Sequence, residues 1–189
     1  MKFLDQQEPI PGASGVTVGA FWQWAYSDIL SNRNRSIFAE YIVGVALGVV
    51  DRPRIEWDAA DLDYRGHKIE VKSSADCQSW HQEKPSTIRF GIGKSVEWNP
   101  VTGKYVGEPT RCAHVYVFCH YPEQDTLKAN VLDVPAWDFY VLSTETLNRD
   151  FAQAKSLSLA AVRRVGMRCK FDGLKEAVDR VLKGNASAV

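Results

Sequence analysis

Apolar positions near the N-terminus of the chain follow a helical period. Residues 16–30 are rich in aromatic side chains, and residues 36–47 place apolar residues at the three- and four-residue spacing of one helix face. Asn34 or Ser36 can serve as the N-cap of the second helix, and Gly48 is typical of a helix end. The pattern therefore predicts two helices, with a polar connection between them.

The middle of the chain changes to the shorter periods of β-strands. Alternating segments surround glycine-containing turns, and two later runs are almost entirely apolar, β-branched or aromatic. Such runs are typical of central strands. The extended segments are predicted at 54–73 (a hairpin turning at Arg65-Gly66), 86–92, 95–106 (a second hairpin), 113–121 and 138–143.

Helical periodicity returns towards the C-terminus. The predicted helices cover 144–151, 158–165 and 172–183, and the last is the clearest, with Asp172 as its cap and Gly184 as its end. Helices, then strands, then helices predict an α/β protein with a central mixed β-sheet flanked by helices.

The same pattern sets the expected domain limits. Residues 1–15 contain several prolines and glycines and no apolar period, so we expect a flexible N-terminal tail. A single domain then spans 16–184, and residues 185–189 form a short C-terminal tail.

Composition excludes few functions. The 189 residues can bury a core without disulfides, and the 23 basic and 23 acidic residues balance. A net charge of zero does not indicate nucleic-acid binding, but an enzyme needs only a local basic surface near its cleft. The chain shows no apolar run of membrane-spanning length and no signal-peptide pattern, so we expect no membrane partner and a cytoplasmic protein.

Candidate chemistry lies in the first predicted hairpin, at the triplet Glu70-Val71-Lys72. Side chains alternate along a strand, so Glu70 and Lys72 share one face while Ile69 and Val71 share the other. The apolar pair can enter the core, which leaves a carboxylate and an ammonium group together on the polar side. Such a triplet is common by chance, so it indicates a functional site only together with the residues around it.

The turn sets the register of that hairpin. A two-residue turn at Arg65-Gly66 places Asp61 opposite Glu70 on the same face, with Cβ atoms roughly 4.5–5.5 Å apart. Two carboxylates so close repel each other unless a cation lies between them, and a hard divalent metal takes oxygen ligands. A bulge at Gly66 would shift the register, and Asp58 is the alternative metal aspartate.

Asp61 followed by Glu70-Val71-Lys72 on the next strand resembles the PD-(D/E)XK motif of restriction endonucleases and related nucleases. Ala60 stands where the motif has proline, a position that varies within the family. The resemblance implies a restriction endonuclease-like fold, a Mg²⁺ (or Mn²⁺) cofactor and hydrolysis of phosphodiester bonds in DNA. It also implies that the metal is held by the Asp61 and Glu70 carboxylates and the Val71 carbonyl.

The resemblance extends to further residues. Lys72 would position or help to deprotonate the attacking water, or stabilise the pentacoordinate phosphate. Glu40, on the helix before the hairpin, fits the additional site glutamate of the family, and Gln78 lies where some members carry a site glutamine. The candidate nucleic-acid contacts are Ser73, Ser74, His81, Lys84, Arg163 and Arg164, the last two within a basic cluster that includes Arg168 and Lys170.

Two other functions stay open on sequence alone. The chain could be a non-catalytic nucleic-acid-binding or structural domain on the same fold, or an unrelated α/β interaction domain with an accidental triplet. All the acidic and lysine positions of the motif are present, which favours catalysis. Many relatives pair two sites by dimerising, so the resemblance also admits a homodimer.

Overall fold

A computed structural model describes residues 2–56, 60–84, 86–99 and 102–186. The helices are α1 (Val18–Tyr26), α2 (Asn32–Leu47), α3 (Thr144–Asp150), α4 (Leu159–Val165) and α5 (Leu174–Ala186). The strands are β1 (Leu62–Tyr64), β2 (His67–Ala75), β3 (Arg89–Gly91), β4 (Ser95–Asn99), β5 (Lys104–Thr110), β6 (Val115–Tyr121), β7 (Asp138–Ser143), β8 (Ser156–Ser158) and β9 (Met167–Cys169).

Five strands form the central sheet, in the order β1-β2-β6-β7-β9. β2 and β6 are parallel, and the other neighbours are antiparallel. Every residue of β6 and β7 is buried, because both faces of the sheet centre are covered. The predicted single α/β domain with a central mixed sheet and flanking helices is confirmed.

The two faces of the sheet pack against different layers. Ile69 and Val71 lie on the face that α2 and α5 cover, in the larger apolar cluster. Tyr116, Phe118 and Tyr140 lie on the opposite face, in a second cluster with side chains of β3, β8, α3 and α4. The strand alternation that buries Ile69 and Val71 therefore turns the residues between them towards the β3 side.

Helix α2 begins one turn earlier than its periodicity predicts. The Ser31 hydroxyl caps it by accepting a hydrogen bond from the Asn34 N–H at 3.4 Å. The polar residues 32–35 are thus the first helical turn rather than a connection, and neither Asn34 nor Ser36 is the cap. The predicted end is confirmed, since Gly48 has the left-handed φ of 73° that favours glycine.

The first hairpin has the predicted register. Arg65 and Gly66 both have positive φ, 54° and 80°, as a tight two-residue turn requires, and no bulge shifts this pairing. Strand β1 starts at Leu62, so Asp61 lies just outside the ladder. The paired residues are Leu62 with Ile69, Asp63 with Lys68 and Tyr64 with His67.

Other boundaries differ from the sequence expectation. Asp172 lies in a 3-10 turn before α5 rather than at its cap, and α5 continues through Gly184. In the segment expected to be a flexible N-terminal tail, Pro9 forms a bridge with Thr17. In the part of the chain that the structure describes, no helix is both long and apolar enough to cross a membrane.

Candidate active site

Glu70 and Lys72 lie side by side on the face of β2 opposite the α2 and α5 layer. Their neighbours Ile69 and Val71 are buried in the core. The Lys72 ammonium forms an ion pair with a Glu70 carboxylate oxygen, and the two side chains are 33% and 22% exposed. The side-chain alternation of β2 thus places a carboxylate and an ammonium group together where solvent or a ligand can still reach them.

This pair opens into a cleft of about 360 Å³ between β2 and the segment that joins β3 to β4. Gly91 and Gly93 line the opposite wall, and no atom lies within 4 Å of where a Cβ would stand on either residue. The wall therefore presents main chain rather than side chains, which lets a ligand approach closely.

Asp61 reaches β2 from its position directly before β1. Its Oδ2 accepts a hydrogen bond from the Val71 N–H at 2.7 Å. The N–H and C=O of one strand residue point to the same side of the strand, so the Val71 carbonyl also faces this edge rather than β6. The Asp61 carboxylate and the main chain of the triplet therefore meet at one edge of β2.

Glu40 approaches from α2 and is 8% exposed. The helix comes close to its neighbours one turn later, at Gly44, where an added Cβ would lie 2.7 Å from Val50 Cγ1. The Glu40 carboxylate is bound by the Arg54 guanidinium through two contacts, one from Nε and one from Nη2 at 3.1 Å. Glu40, Arg54 and Asp61 line a shared groove of about 190 Å³.

The charged groups influence one another's protonation. Burial raises the pKa of Glu70, and the nearby Asp61 carboxylate raises it further, against the opposing effect of Lys72. Burial likewise raises the pKa of Glu40, against its hydrogen bond from Arg54. Burial alone would lower the pKa of Lys72, but the Glu70, Asp61 and Glu40 carboxylates outweigh it and raise that pKa overall.

The oxygen atoms near β2 that could act as metal ligands are few. Within the described ranges, no three His, Cys, Asp or Glu side chains are grouped so that they could hold a metal ion. Asp58, the alternative aspartate, lies outside the described residues. Mg²⁺ is usually bound by one or two carboxylates, with water and substrate phosphates completing its shell. Asp61, Glu70 and the Val71 carbonyl supply oxygen donors of these types.

Gln78 is placed in a buried network beyond the end of β2. Its Nε2 donates to the Ala75 carbonyl and to Ser86 Oγ, both at 3.1 Å, and its Oε1 accepts from the buried Arg35 at 3.3 Å. The amide thus ties α2 to the segment after β2. The described hydrogen bonds of Gln78 do not include Glu70 or the other groups of the β2 edge.

The two serines after the triplet point to opposite faces of β2. Ser73 lies on the α2 side, and its Oγ is 3.1 Å from Ser36 Oγ. Ser74 alternates back to the face that carries Glu70 and Lys72. Only Ser74 therefore shares a face with the cleft.

His81 and Lys84 are exposed and line a separate pocket of about 560 Å³, next to Gln78. Trp80 lines the same pocket and is 52% exposed, so this aromatic side chain does not belong to the core. These three side chains form a surface beyond the C-terminal end of β2.

The predicted basic cluster is divided by its partners. Arg163 and Arg164 lie in the last turn of α4 and are exposed. Arg168 and Lys170 instead bind the buried Asp138 carboxylate, at 3.0 and 3.1 Å. Arg163 also has a structural partner, because its Nε donates to the Tyr140 hydroxyl at 3.1 Å. Arg163 and Arg164 remain candidates for contact with a phosphate backbone.

Arg54 is a residue of the candidate site that the sequence analysis missed. It lies in an irregular segment between α2 and β1, without a period or motif around it. Its role is visible only from its contact with Glu40, fourteen residues earlier. No local sequence signal distinguishes it from Arg52.

Comparison of the chain with protein-family models, with curated proteins and with solved structures gave no match in any of the three. The function is therefore inferred from the residues and their geometry.

Proposed function

We propose that this protein is a metal-dependent endonuclease that hydrolyses phosphodiester bonds in DNA, on a restriction endonuclease-like fold of the PD-(D/E)XK type. One observation carries the proposal. The Asp61 carboxylate is bonded to the main chain of Val71, the middle residue of the triplet whose outer residues, Glu70 and Lys72, form an ion pair at a cleft. The resemblance of the sequence to that motif and the mixed central sheet support the same conclusion.

The charges near β2 fit a divalent cation. Asp61, Glu70 and Glu40 supply three carboxylates, and Lys72 and Arg54 supply two cations, so one negative charge is left over when all are ionised. The donors are all oxygens, the ligand type that Mg²⁺ and Mn²⁺ prefer. A bound ion would supply neutralisation of the phosphate charge and a more acidic water.

The ion pair with Arg54 distinguishes Glu40 from the other two carboxylates. Because its guanidinium binds the Glu40 carboxylate at two points, that carboxylate already has a cation. Among the described residues, Asp61 accepts from a main-chain donor, and Glu70 has one contact, with the Lys72 ammonium. Asp61 and Glu70 are therefore the carboxylates best placed to hold the metal, and Glu40 supports the site from α2.

Lys72 supplies positive charge on the cleft side. Its ammonium carries three donors, so it can keep the Glu70 contact while donating to a phosphate oxygen or to the attacking water. Negative charge grows on the phosphoryl oxygens as water attacks, and a fixed donor there stabilises that charge. We assign Lys72 this stabilising and orienting role.

The cleft also has room for the sugar-phosphate backbone of a nucleic acid. Its glycine wall leaves room for a phosphate and sugar to approach Glu70 and Lys72. The choice of DNA comes from the resemblance to restriction endonucleases.

Incubation of the purified protein with supercoiled plasmid tests the proposal. We expect nicked or linear product in Mg²⁺ or Mn²⁺, none with a chelator, and none from Glu70→Gln folded to the same extent. A protein that cleaves no plasmid, single-stranded or branched DNA in either metal would refute the enzymatic function. Binding without cleavage would instead favour a non-catalytic nucleic-acid-binding domain.

A further inference from the structure

Strands β4 and β5 form a two-stranded ribbon that is separate from the central sheet. The ladder runs from Ser95 opposite Thr110 to Asn99 opposite Lys104. All seven residues of β5 are exposed, including Tyr105 at 67%. Among the described residues, neither strand contributes to either apolar cluster. The ribbon is therefore not explained by the packing of the domain.

The ribbon starts at the cleft and is fixed at its base. Ser95, the first residue of β4, lines the cleft together with Glu70 and Lys72. The buried Arg111, directly after β5, donates to the carbonyl of Ile92, three residues before β4, at 2.8 Å. The same guanidinium also binds Asn148 Oδ1 at 2.6 Å and the carbonyls of Phe151 and Ala154 at 3.0 and 3.1 Å. Both ends of the ribbon are thus anchored while its length lies outside the core.

A two-stranded ribbon that lies outside the core requires an additional source of stability. An isolated two-stranded hairpin is marginally stable, and every residue of β5 is exposed. Contact with a partner would provide the missing stabilisation. The partner that reaches the cleft also reaches the ribbon, because Ser95 belongs to both.

The edge of β5 is poorly suited to pairing with a strand of another protein chain. Pro109 lacks an N–H, and Gly107 has a left-handed φ of 88°. The register shifts between Ser95 and Glu97, so the ladder is irregular close to the cleft. Proline and bulges are features that prevent strand addition at sheet edges. The ribbon is therefore better suited to contact through its side chains.

We propose that the β4–β5 ribbon enters the major groove of duplex DNA whose backbone lies in the cleft. This inference rests on the proposed nuclease function and names its substrate as B-form duplex. The major groove of B-DNA, roughly 12 Å wide, admits a two-stranded ribbon, whereas the major groove of A-form RNA is too deep and narrow. The exposed side chains of the ribbon and its base that can donate to base edges or phosphates are Lys94, Thr102, Lys104, Tyr105 and Thr110.

A shortened variant tests the inference. Residues 96–109 are replaced by Asn-Gly, so that Ser95 and Thr110, which already pair, flank a two-residue turn. Affinity is measured at one salt concentration, in the presence of a chelator, for duplex DNA, single-stranded DNA and duplex RNA of the same sequence. Hydrolysis of the small diester bis(p-nitrophenyl) phosphate in Mn²⁺ measures the chemistry without the groove.

We expect the shortened variant to bind duplex DNA at least about tenfold more weakly, the loss of a good base contact or more. Its affinity for duplex RNA and its hydrolysis of the small diester change by no more than about twofold, because the ribbon touches neither. A paired substitution, Lys104→Ala with Tyr105→Ala, should lower duplex affinity in the same direction if shortening prevents folding. Lys128→Ala, an exposed lysine outside the ribbon, is the matched control.

The possible results separate this inference from the proposed function. Unchanged duplex affinity in both ribbon variants, or a larger loss for single strands or duplex RNA, overturns the ribbon assignment. Hydrolysis of the small diester by a wild-type protein that does not bind duplex DNA overturns it too, while the nuclease chemistry stands. Ribbon-dependent duplex binding without any hydrolysis keeps the ribbon assignment and refutes the enzyme.

Discussion

The Asp61 carboxylate accepts a hydrogen bond from the Val71 N–H at 2.7 Å, beyond the last residue pair of the β1–β2 ladder. This contact fixes an acidic side chain against the main chain of β2. The same residue, Val71, buries its side chain in the core, while its neighbours Glu70 and Lys72 turn to the cleft. Two carboxylates and an ammonium group are thereby positioned by one strand.

Replacement of Lys72 by alanine should abolish cleavage without removing the metal site. The substitution takes away the donor that faces the phosphate, and we expect cleavage to fall by about 10²–10³-fold, as for other charge-stabilising donors. Mn²⁺ affinity should stay the same or rise, because a cation is removed from Glu70. Lys68→Ala, on the same face of β2, is the matched control. Full activity of Lys72→Ala in single-turnover assays would contradict the role assigned to this residue.

Replacement of Arg54 by glutamine should strengthen metal binding and weaken the fold. The guanidinium lies on Glu40 and beside Asp61, so its removal leaves the acidic groups with less positive charge. We expect Mn²⁺ affinity to rise by roughly fivefold, equivalent to about 1 kcal/mol of charge interaction. Arg52→Gln, in the same groove, should leave the affinity unchanged. Weaker Mn²⁺ binding by Arg54→Gln would show that the ion pair positions a metal ligand.

Substitution of Gln78 distinguishes a structural role of this residue from a catalytic one. Gln78→Ala leaves the Arg35 and Ser86 side chains and the Ala75 carbonyl without this partner, which should lower the free energy of unfolding by about 2 kcal/mol. Cleavage per folded molecule should be unchanged. Gln82→Ala, which loses one bond to the same serine, should cost less. An inactive but equally stable Gln78→Ala protein would instead support the catalytic glutamine that the sequence resemblance implies.

The strongest sequence predictions were those that follow from strict local geometry. Strand alternation correctly separated Glu70 and Lys72 from Ile69 and Val71, because the period of two holds wherever one face is buried. The register followed from the two-residue turn at Arg65-Gly66. Strand β6 was predicted from a different pattern. Burial on both faces of a strand requires a continuous apolar run, and the sequence around β6 has one.

Contacts between distant segments could not be predicted in the same way. Arg35 and Gln78 are 43 residues apart, and nothing in either local sequence indicates their hydrogen bond. The start of α2 was misplaced because Asn34 and Ser36 are as suitable for capping as Ser31. The three-residue strands β8 and β9 are too short to show a period. The separation of the β4–β5 ribbon from the sheet depends on tertiary packing, which its hairpin pattern does not contain.

Asp138 should make the stability of the protein depend on pH in acid. Burial would raise the pKa of Asp138, but the hydrogen bonds from Arg168 and Lys170 outweigh it, and the pKa is lowered overall. The unfolded chain has a carboxyl pKa of about 3.9, so the stabilisation is complete above that pH and is lost as the pH falls through the lower folded value.

The variant Asp138→Asn provides the comparison. At neutral pH it should be less stable to urea than the wild type, because it cannot form the two charged bonds. The difference should shrink as the pH drops below about 4, where the wild-type carboxylate is protonated in the unfolded chain and then in the folded one. A stability difference that stays constant from neutral pH to below pH 3 would contradict this assignment.

A titration with Mn²⁺, followed by the electron paramagnetic resonance of the free ion, tests the central claim most directly. We expect one ion per wild-type chain, and at least about tenfold weaker binding in both Asp61→Asn and Glu70→Gln, since each carboxylate supplies one of few ligands. Asp63→Asn, whose side chain caps the turn at Gly66, should bind the ion as the wild type does. Absence of binding to the wild type, or an affinity that ignores either Asp61 or Glu70, would contradict a cation shared by the two carboxylates.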